Sequence, residues 1–151
     1  MKHSKTASSL FLIVLNSFLA SSLASDAAGN LSAAEPTPRE AAAGTKVSPL
    51  MLKELTGLPG KEAEMLIVEY APGAASDKHR HNAYTFVYVL EGHIVMQVQG
   101  GKKTTLGPGE TFYESPDDIH SVSRNASDSR PARFLVFFVK DKHAPETVPV
   151  K

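Results

Sequence analysis

The chain has 151 residues, with 16 Lys and Arg against 16 Asp and Glu, a formal charge of zero, and no cysteine. A neutral chain without a basic cluster argues against a nucleic-acid partner, which would require Lys and Arg gathered on one face. The missing cysteine excludes disulfides, thiolate metal ligands, a cysteine nucleophile and a lipid-attached cysteine, so the fold must rest on its apolar core.

Residues 1–24 read as a secretory signal peptide. Met1 to Lys5 is short and basic, Ser9 to Leu19 ("SLFLIVLNSFL") is apolar, and Ser22 and Ala24 are the small residues that a signal peptidase reads. The apolar run is broken by Asn16 and Ser17 and falls short of the ~20 residues of a membrane span. Export without a membrane anchor is therefore expected, with a secreted or periplasmic location. Two of the 16 basic residues, Lys2 and Lys5, leave with this segment, so the remainder carries a charge of −2. Residues 25–46 are rich in Ala, Ser, Pro and Gly and predict a flexible leader, because they offer too little apolar surface to offset the entropy of ordering.

From Val47 to His143 the pattern is of short strands between turns. Pro49 to Leu55 fits either a helical turn or an edge strand. Glu64 to Tyr70 is a strand stopped by Pro72-Gly73, and Tyr84 to Leu90 is another, closed by Glu91-Gly92. Ile94 to Val98 and Lys103 to Leu106 flank Gly100-Gly101, which suits a two-residue hairpin turn. Pro108-Gly109 suits a type II turn before a strand at Thr111 to Glu114. His120 to Arg124 and Arg133 to Lys140 complete the set, and residues 144–151 read as a tail. Strands at this spacing, without helices to cover a sheet, predict an all-β, single-domain jelly-roll barrel. Tyr84, Phe86, Tyr88, Met96, Phe112, Tyr113, Phe134, Phe137 and Phe138 are expected first as core, although alternation must turn one of each neighbouring pair the other way.

His79 and His81 lie two apart at the mouth of a strand, so their rings point the same way. Such a pair is weak evidence by itself; His120 is the candidate that would complete a metal-ligating set. Together the residues around them resemble the two motifs of the cupins. Gly73, His79, His81 and Gly92 fall on the spacing of the first motif, and Gly109 and His120 on that of the second. Pro116 comes one place late, Asp118 stands where the pattern has glycine, and Asn125 follows one position late, with Arg124 in its slot. The resemblance runs from about Glu64 to Val139 and extends to small, single-domain bacterial cupins of the cupin-2 type.

The resemblance implies a divalent metal held by His79, His81 and His120, whether Fe, Mn, Ni, Cu or Zn. It also implies a small-molecule ligand or substrate, and a homodimer through edge strands. At the family's glutamate position this chain has Thr85. Three-histidine cupin dioxygenases resemble that arrangement. Glu114 is the carboxylate that could enter the cavity, as ligand, general base or partner to a histidine N–H; the alternative places it in solvent at a strand end. Asp117 and Asp118 read as turn residues, His93 and His143 as surface residues, and His3 leaves with the signal. The sequons at Asn30 and Asn125 are three-residue matches of little weight. Two function classes follow: a metal-dependent dioxygenase or isomerase, or a non-catalytic module of the cell envelope that binds a metal or small ligand. A barrel that has lost its metal is the third possibility.

Overall fold

The computed structural model describes residues 39–150, so the expected signal peptide and most of the expected leader lie outside the described residues. Those residues form two antiparallel sheets and no helix. The strands are β1 (Arg39–Ala42), β2 (Thr45–Glu54), β3 (Lys61–Tyr70), β4 (Ala75–Ser76), β5 (His79–Arg80) and β6 (Ala83–Glu91). They continue with β7 (Ile94–Val98), β8 (Thr104–Leu106), β9 (Thr111–Glu114), β10 (His120–Asn125), β11 (Ala132–Asp141) and β12 (Val148–Pro149). One sheet runs β1-β2-β3-β11-β6-β9; the other runs β12-β5-β10-β7-β8, with β4 also paired to β10. Together they make the expected all-β jelly roll.

The inner faces follow from alternation along each strand. Leu66, Val68 and Tyr70 of β3, Phe134, Val136 and Phe138 of β11, and Val87 and Val89 of β6 meet Ile94 and Met96 of β7 in one buried core. Each large side chain so buried contributes about 1.5–3 kcal/mol. On β6 the phase assigns Ala83, Thr85, Val87 and Val89 to the inside. Tyr84, Phe86 and Tyr88, expected as core, are instead exposed on the outer face, and Tyr113 of β9 joins them. Their hydrophobicity suggested burial, but strand phase decides which side they occupy.

Both ends of the folded unit extend past their expected limits. Arg39 to Lys46, assigned by composition to the leader, form β1, a turn at Ala43-Gly44 and the start of β2, which pairs with β1. The sequence 49–55 is strand through Glu54, with a bulge between Pro49 and Met51. The expected tail is part of the barrel, because Val148 and Pro149 pair with Arg80 and His79. Backbone pairing orders these segments, and composition does not report it. The Gly100-Gly101 turn is longer than two residues, since β7 ends at Val98 and β8 begins at Thr104. Gly109 does take the positive φ (87°) of a type II turn, closed by Glu110 N–H donating to Gly107 O at 3.0 Å.

Two residues shared with the cupin pattern have structural explanations. Gly92 has φ 70°, and a Cβ there would lie 2.5 Å from Pro131 O, so no other residue fits without moving backbone. Asn125 is 1% exposed. Its amide donates to the Ala71 and Arg130 carbonyls at 3.0 and 2.8 Å, while its Oδ1 accepts from Ser127 N–H at 2.9 Å. It staples the β3–β4 turn to the β10–β11 loop, and its burial removes it as a glycosylation acceptor in the folded protein.

Candidate metal centre

The three predicted histidines converge between the sheets. His79 begins β5, and His120 sits directly opposite it on β10. His81 follows β5 and packs its ring against Phe138 of the other sheet, at a centroid distance of 5.0 Å. Asn82 then takes φ 49°, a left-handed turn that asparagine tolerates better than most residues, and the chain enters β6. Each histidine offers one ligand atom, and these atoms all lie within 4.8 Å of one another.

Hydrogen bonds fix the tautomers of two of the rings. His79 Nδ1 lies 2.6 Å from the Asp77 carbonyl, and His81 Nδ1 lies 2.5 Å from the Glu146 carbonyl. A carbonyl only accepts, so both Nδ1 atoms carry the hydrogen, and in the neutral form of each ring the Nε2 atom carries the lone pair. These two Nε2 atoms face each other at 3.3 Å. Two neutral rings in this tautomer repel at that separation, so the contact is no ordinary hydrogen bond. Two ligands at ~2.1 Å from one ion lie about 3.0–3.4 Å apart, so a shared cation fits the gap.

Burial supports the neutral state. It pushes the pKa of His81 down to about 3, helped by the neighbouring His79. His120 is likewise pushed to about 3 by burial and then by His79 and His81. Both rings therefore keep lone pairs for a metal at neutral pH. His120 is 3% exposed, and neither of its ring nitrogens has a hydrogen-bond partner. Orphaned buried nitrogens of this kind are costly unless a bound group satisfies them. The donor set and its unmet lone pairs fit a divalent ion.

Glu114 stands beside the trio. It is buried, and its Oε2 lies 3.1 Å from His120 Nδ1 and 3.8 Å from His81 Nε2. The shorter approach lacks hydrogen-bond geometry, leaving Oε2 also without a partner. Burial, reinforced by the charge of Asp118, pushes its pKa up to about 8. Register explains its position. Thr85, fully buried on β6, pairs with Glu114 of β9 on one side and Phe138 of β11 on the other. The carboxylate absent at Thr85 is thus present one strand over, in the same rung. Asp118 serves the turn before His120, accepting from Ser115 N–H at 2.7 Å. Asp117, His93 and His143 are exposed.

A cavity of about 270 Å³ opens onto the three histidines, Thr85 and Glu114, with Val87, Phe134 and Val136 among its apolar walls. Sequence reasoning missed several of its components. The carbonyls of Asp77 and Glu146 that orient the rings leave no signal in a sequence, since any residue supplies a carbonyl. Tyr70, Ser76 and Ser123 also line the cavity. The two serines had a faint signal, each lying three residues outside a histidine.

Comparison with known proteins agrees with this architecture. Residues 66–138 match the Cupin_2 family, described as a cupin domain. A cupin-domain-containing oxidoreductase of Neurospora crassa, srdB, is 33% identical over 69 residues. That match covers 46% of this chain and about a third (34%) of the relative's length. Among solved structures, an RmlC-like cupin from Shewanella frigidimarina superposes with a TM-score of 0.56 at 17% identity, covering 72% of this chain and 87% of that one. The Cupin_2 domain of an XRE family transcriptional regulator from Enterobacter cloacae gives 0.50 at 27% identity, covering 63% and 95%. With two histidine-bearing stretches brought together inside a jelly roll, and a family match spanning both, the chain belongs to the cupin superfamily.

Proposed function

We propose that this protein is an exported, metal-dependent cupin that carries out dioxygenase or isomerase chemistry on a small organic substrate. The observation that carries this reading is the pair of lone-pair-bearing Nε2 atoms held 3.3 Å apart by carbonyls behind each ring. His79, His81 and His120 would hold the ion, with Fe, Mn, Ni, Cu and Zn all compatible with imidazole ligands. Bound there, the metal would act as a Lewis acid or an oxygen-activating centre on a coordinated substrate.

The chain's own residues have separable tasks. Asp77 and Glu146 hold two rings in the tautomer that presents Nε2. Glu114, whose pKa burial raises, can donate a proton to a developing anion in its protonated form and, once ionised, accept one from a substrate carbon or hydroxyl. The apolar walls exclude water from the reacting atoms. The resemblance to an oxidoreductase supports the redox form of the reading. Export rests on the basic, apolar and small-residue pattern of residues 1–24. A homodimer is part of the proposal: β9 ends its sheet, and Tyr113 with Phe86 forms an exposed aromatic pair at 5.3 Å beside that edge. Light scattering on the purified protein should give twice the monomer mass.

Elemental analysis of the mature protein, purified without a His tag, tests the centre against a His79→Ala/His81→Ala variant. About one equivalent of metal is expected in the parent and little in the variant; equal content in both removes the metal reading. Oxygen consumption and product analysis with diketones, phenols and thiols then test turnover. A second reading, a non-catalytic binding module, draws support from the likeness to a regulator's cupin domain at 27% identity. Metal-dependent ligand binding without product would select it.

A further inference from the structure

The cavity has a second polar end. Tyr70 is 2% exposed, and its hydroxyl lies 2.7 Å from both Ser76 Oγ and Ser123 Oγ. The two serines are opposite each other on β4 and β10, as His79 and His120 are on β5 and β10. The same ladder therefore carries a histidine pair and, three residues along, a serine pair. Residues three apart on a regular strand face opposite sides. The register shift between His120 and Val122 on β10 restores a common face, so His120 and Ser123 are both buried and both line the cavity. Three residues of strand separate the two ends by roughly 10 Å.

Proton counting shows what the second end offers. Three hydroxyls carry three hydrogens, and the two contacts within the trio use two of them. The remaining neighbour is Met96 Sδ, 4.0 Å from Ser123 Oγ and a weak acceptor. Burial raises the Tyr70 pKa, so its phenol stays protonated. The third O–H is therefore held at most by the weak sulfur acceptor, and a ligand oxygen would be the stronger partner for it. A purely structural trio, tying β3 to the opposite sheet, would leave that hydrogen on sulfur or unused.

We propose that the Tyr70–Ser76–Ser123 trio is a ligand subsite that reads a neutral oxygen, carbonyl or hydroxyl, at the far end of a small monoanionic acid or enolate whose charged end faces the three histidines. The proposal rests on the metal-centre reading. Three neutral imidazoles leave a dication uncompensated, which favours an anion at that end. Between the ends the walls are aliphatic and aromatic, which suits a short hydrocarbon body. No Lys or Arg side chain is part of the trio, and the one lysine lining the cavity, Lys78, is solvent-exposed, so a second carboxylate at the far end would be desolvated without a cation. The volume is below the ~300–1,000 Å³ typical of larger ligands.

Matched probes test this on the metal-loaded protein by calorimetry: pentanoate, 4-oxopentanoate and succinate, each also titrated into metal-free protein. The parent should bind 4-oxopentanoate about 2- to 10-fold more tightly than pentanoate, the range of one net neutral hydrogen bond. It should bind succinate no better than pentanoate. In the Tyr70→Phe/Ser76→Ala variant the oxo preference should fall to about 1, with metal content and pentanoate affinity unchanged. A parent with no oxo preference, a preference that survives in the variant, tighter binding of succinate, or no binding of any probe to loaded protein overturns the subsite. Failure of the metal reading looks different: the acids would bind equally with and without metal, or no metal would load, and the subsite proposal falls with it. If the double variant does not fold, Ser76→Ala alone, at a half-buried position, must show the same loss of preference.

Discussion

Thr85 stands where the cupin pattern has a glutamate, and its surroundings define what a carboxylate there would do. Its side chain is fully buried and makes only a 3.4 Å contact to the Ala83 carbonyl, with Glu114 beside it in register. A Thr85→Glu substitution would place a second buried carboxyl next to the first. Without metal, two neighbouring carboxyls cannot both ionise, and burying the added group costs about 1–3 kcal/mol even when it is neutral. With metal, the added anion offsets charge that three imidazoles leave in place. Thermal unfolding of the variant should therefore show a lower midpoint than the parent without metal and a larger upward shift on adding Mn²⁺ or Zn²⁺. A metal-induced shift no larger than the parent's would contradict this account. Glu114→Gln makes the complementary case: the amide keeps the shape and the neutral state, so stability should change by less than about 1 kcal/mol. Turnover, if present, should be lost because an amide neither donates nor accepts the proton. Full activity in Glu114→Gln would remove Glu114 from the chemistry.

The C-terminal segment from Lys140 to Val150 acts at the scale of an element, as a strap across the site. Lys140 Nζ donates to the Ala144 carbonyl at 2.9 Å, and His143 N–H donates to Glu62 at 3.1 Å, which anchors its root. Beyond the anchor, the Glu146 carbonyl orients His81, β12 pairs with the strand that bears His79, and Val150 N–H donates to the Lys78 carbonyl. A chain ending at Ala144 keeps the anchor and loses these contacts. Loss of such orienting partners commonly lowers metal affinity 10–100-fold. Competition titration of the truncated protein with a chelator of known affinity should find that drop while the circular dichroism stays that of a β protein; unchanged affinity would show that the strap is a passive cover. The strap was also the least legible element in the sequence. Its Pro, Lys and Glu residues carry no apolar period, and its contribution comes from backbone carbonyls that composition cannot report. The histidines were legible because alternation and the spacing to His120 are side-chain properties. Residues 39–46 were misread for the strap's reason, and Tyr84, Phe86 and Tyr88 for another: the run from Tyr84 to Leu90 is apolar on both faces apart from Thr85, so its composition did not reveal its phase.

At the scale of the whole molecule, the barrel is closed beyond the site by a buried ionic cluster. Lys140 on β11 pairs directly with Glu62 on β3, and its ammonium bonds the Glu62 carboxylate and lies 3.4 Å from Glu64. All three side chains point inward and are largely shielded from water. The hydrogen bond from Lys140 holds the Glu62 carboxyl below the usual carboxylate range, against the opposing effect of burial. A folded-state pKa below the unfolded one means that this carboxylate stabilises the fold fully above the ordinary carboxylate pKa. That contribution is lost as the pH falls through the depressed folded value. Lys140→Met inverts the argument. It leaves two carboxylates buried without their cation, which costs about 3–5 kcal/mol at neutral pH when one partner of such a pair is removed. With the ammonium gone, burial raises the Glu62 carboxyl unopposed by that hydrogen bond, so acidification neutralises it and relieves part of the penalty. Urea unfolding of parent and variant from pH 7 down to pH 4 should show the stability gap narrowing as the pH falls. Removing one of the two carboxylates with Glu62→Gln in the Lys140→Met background should recover part of the loss at pH 7. A gap that stays constant across this range would mean that Lys140 contributes through packing of its hydrocarbon stem, and the ionic closure of the barrel would have to be abandoned.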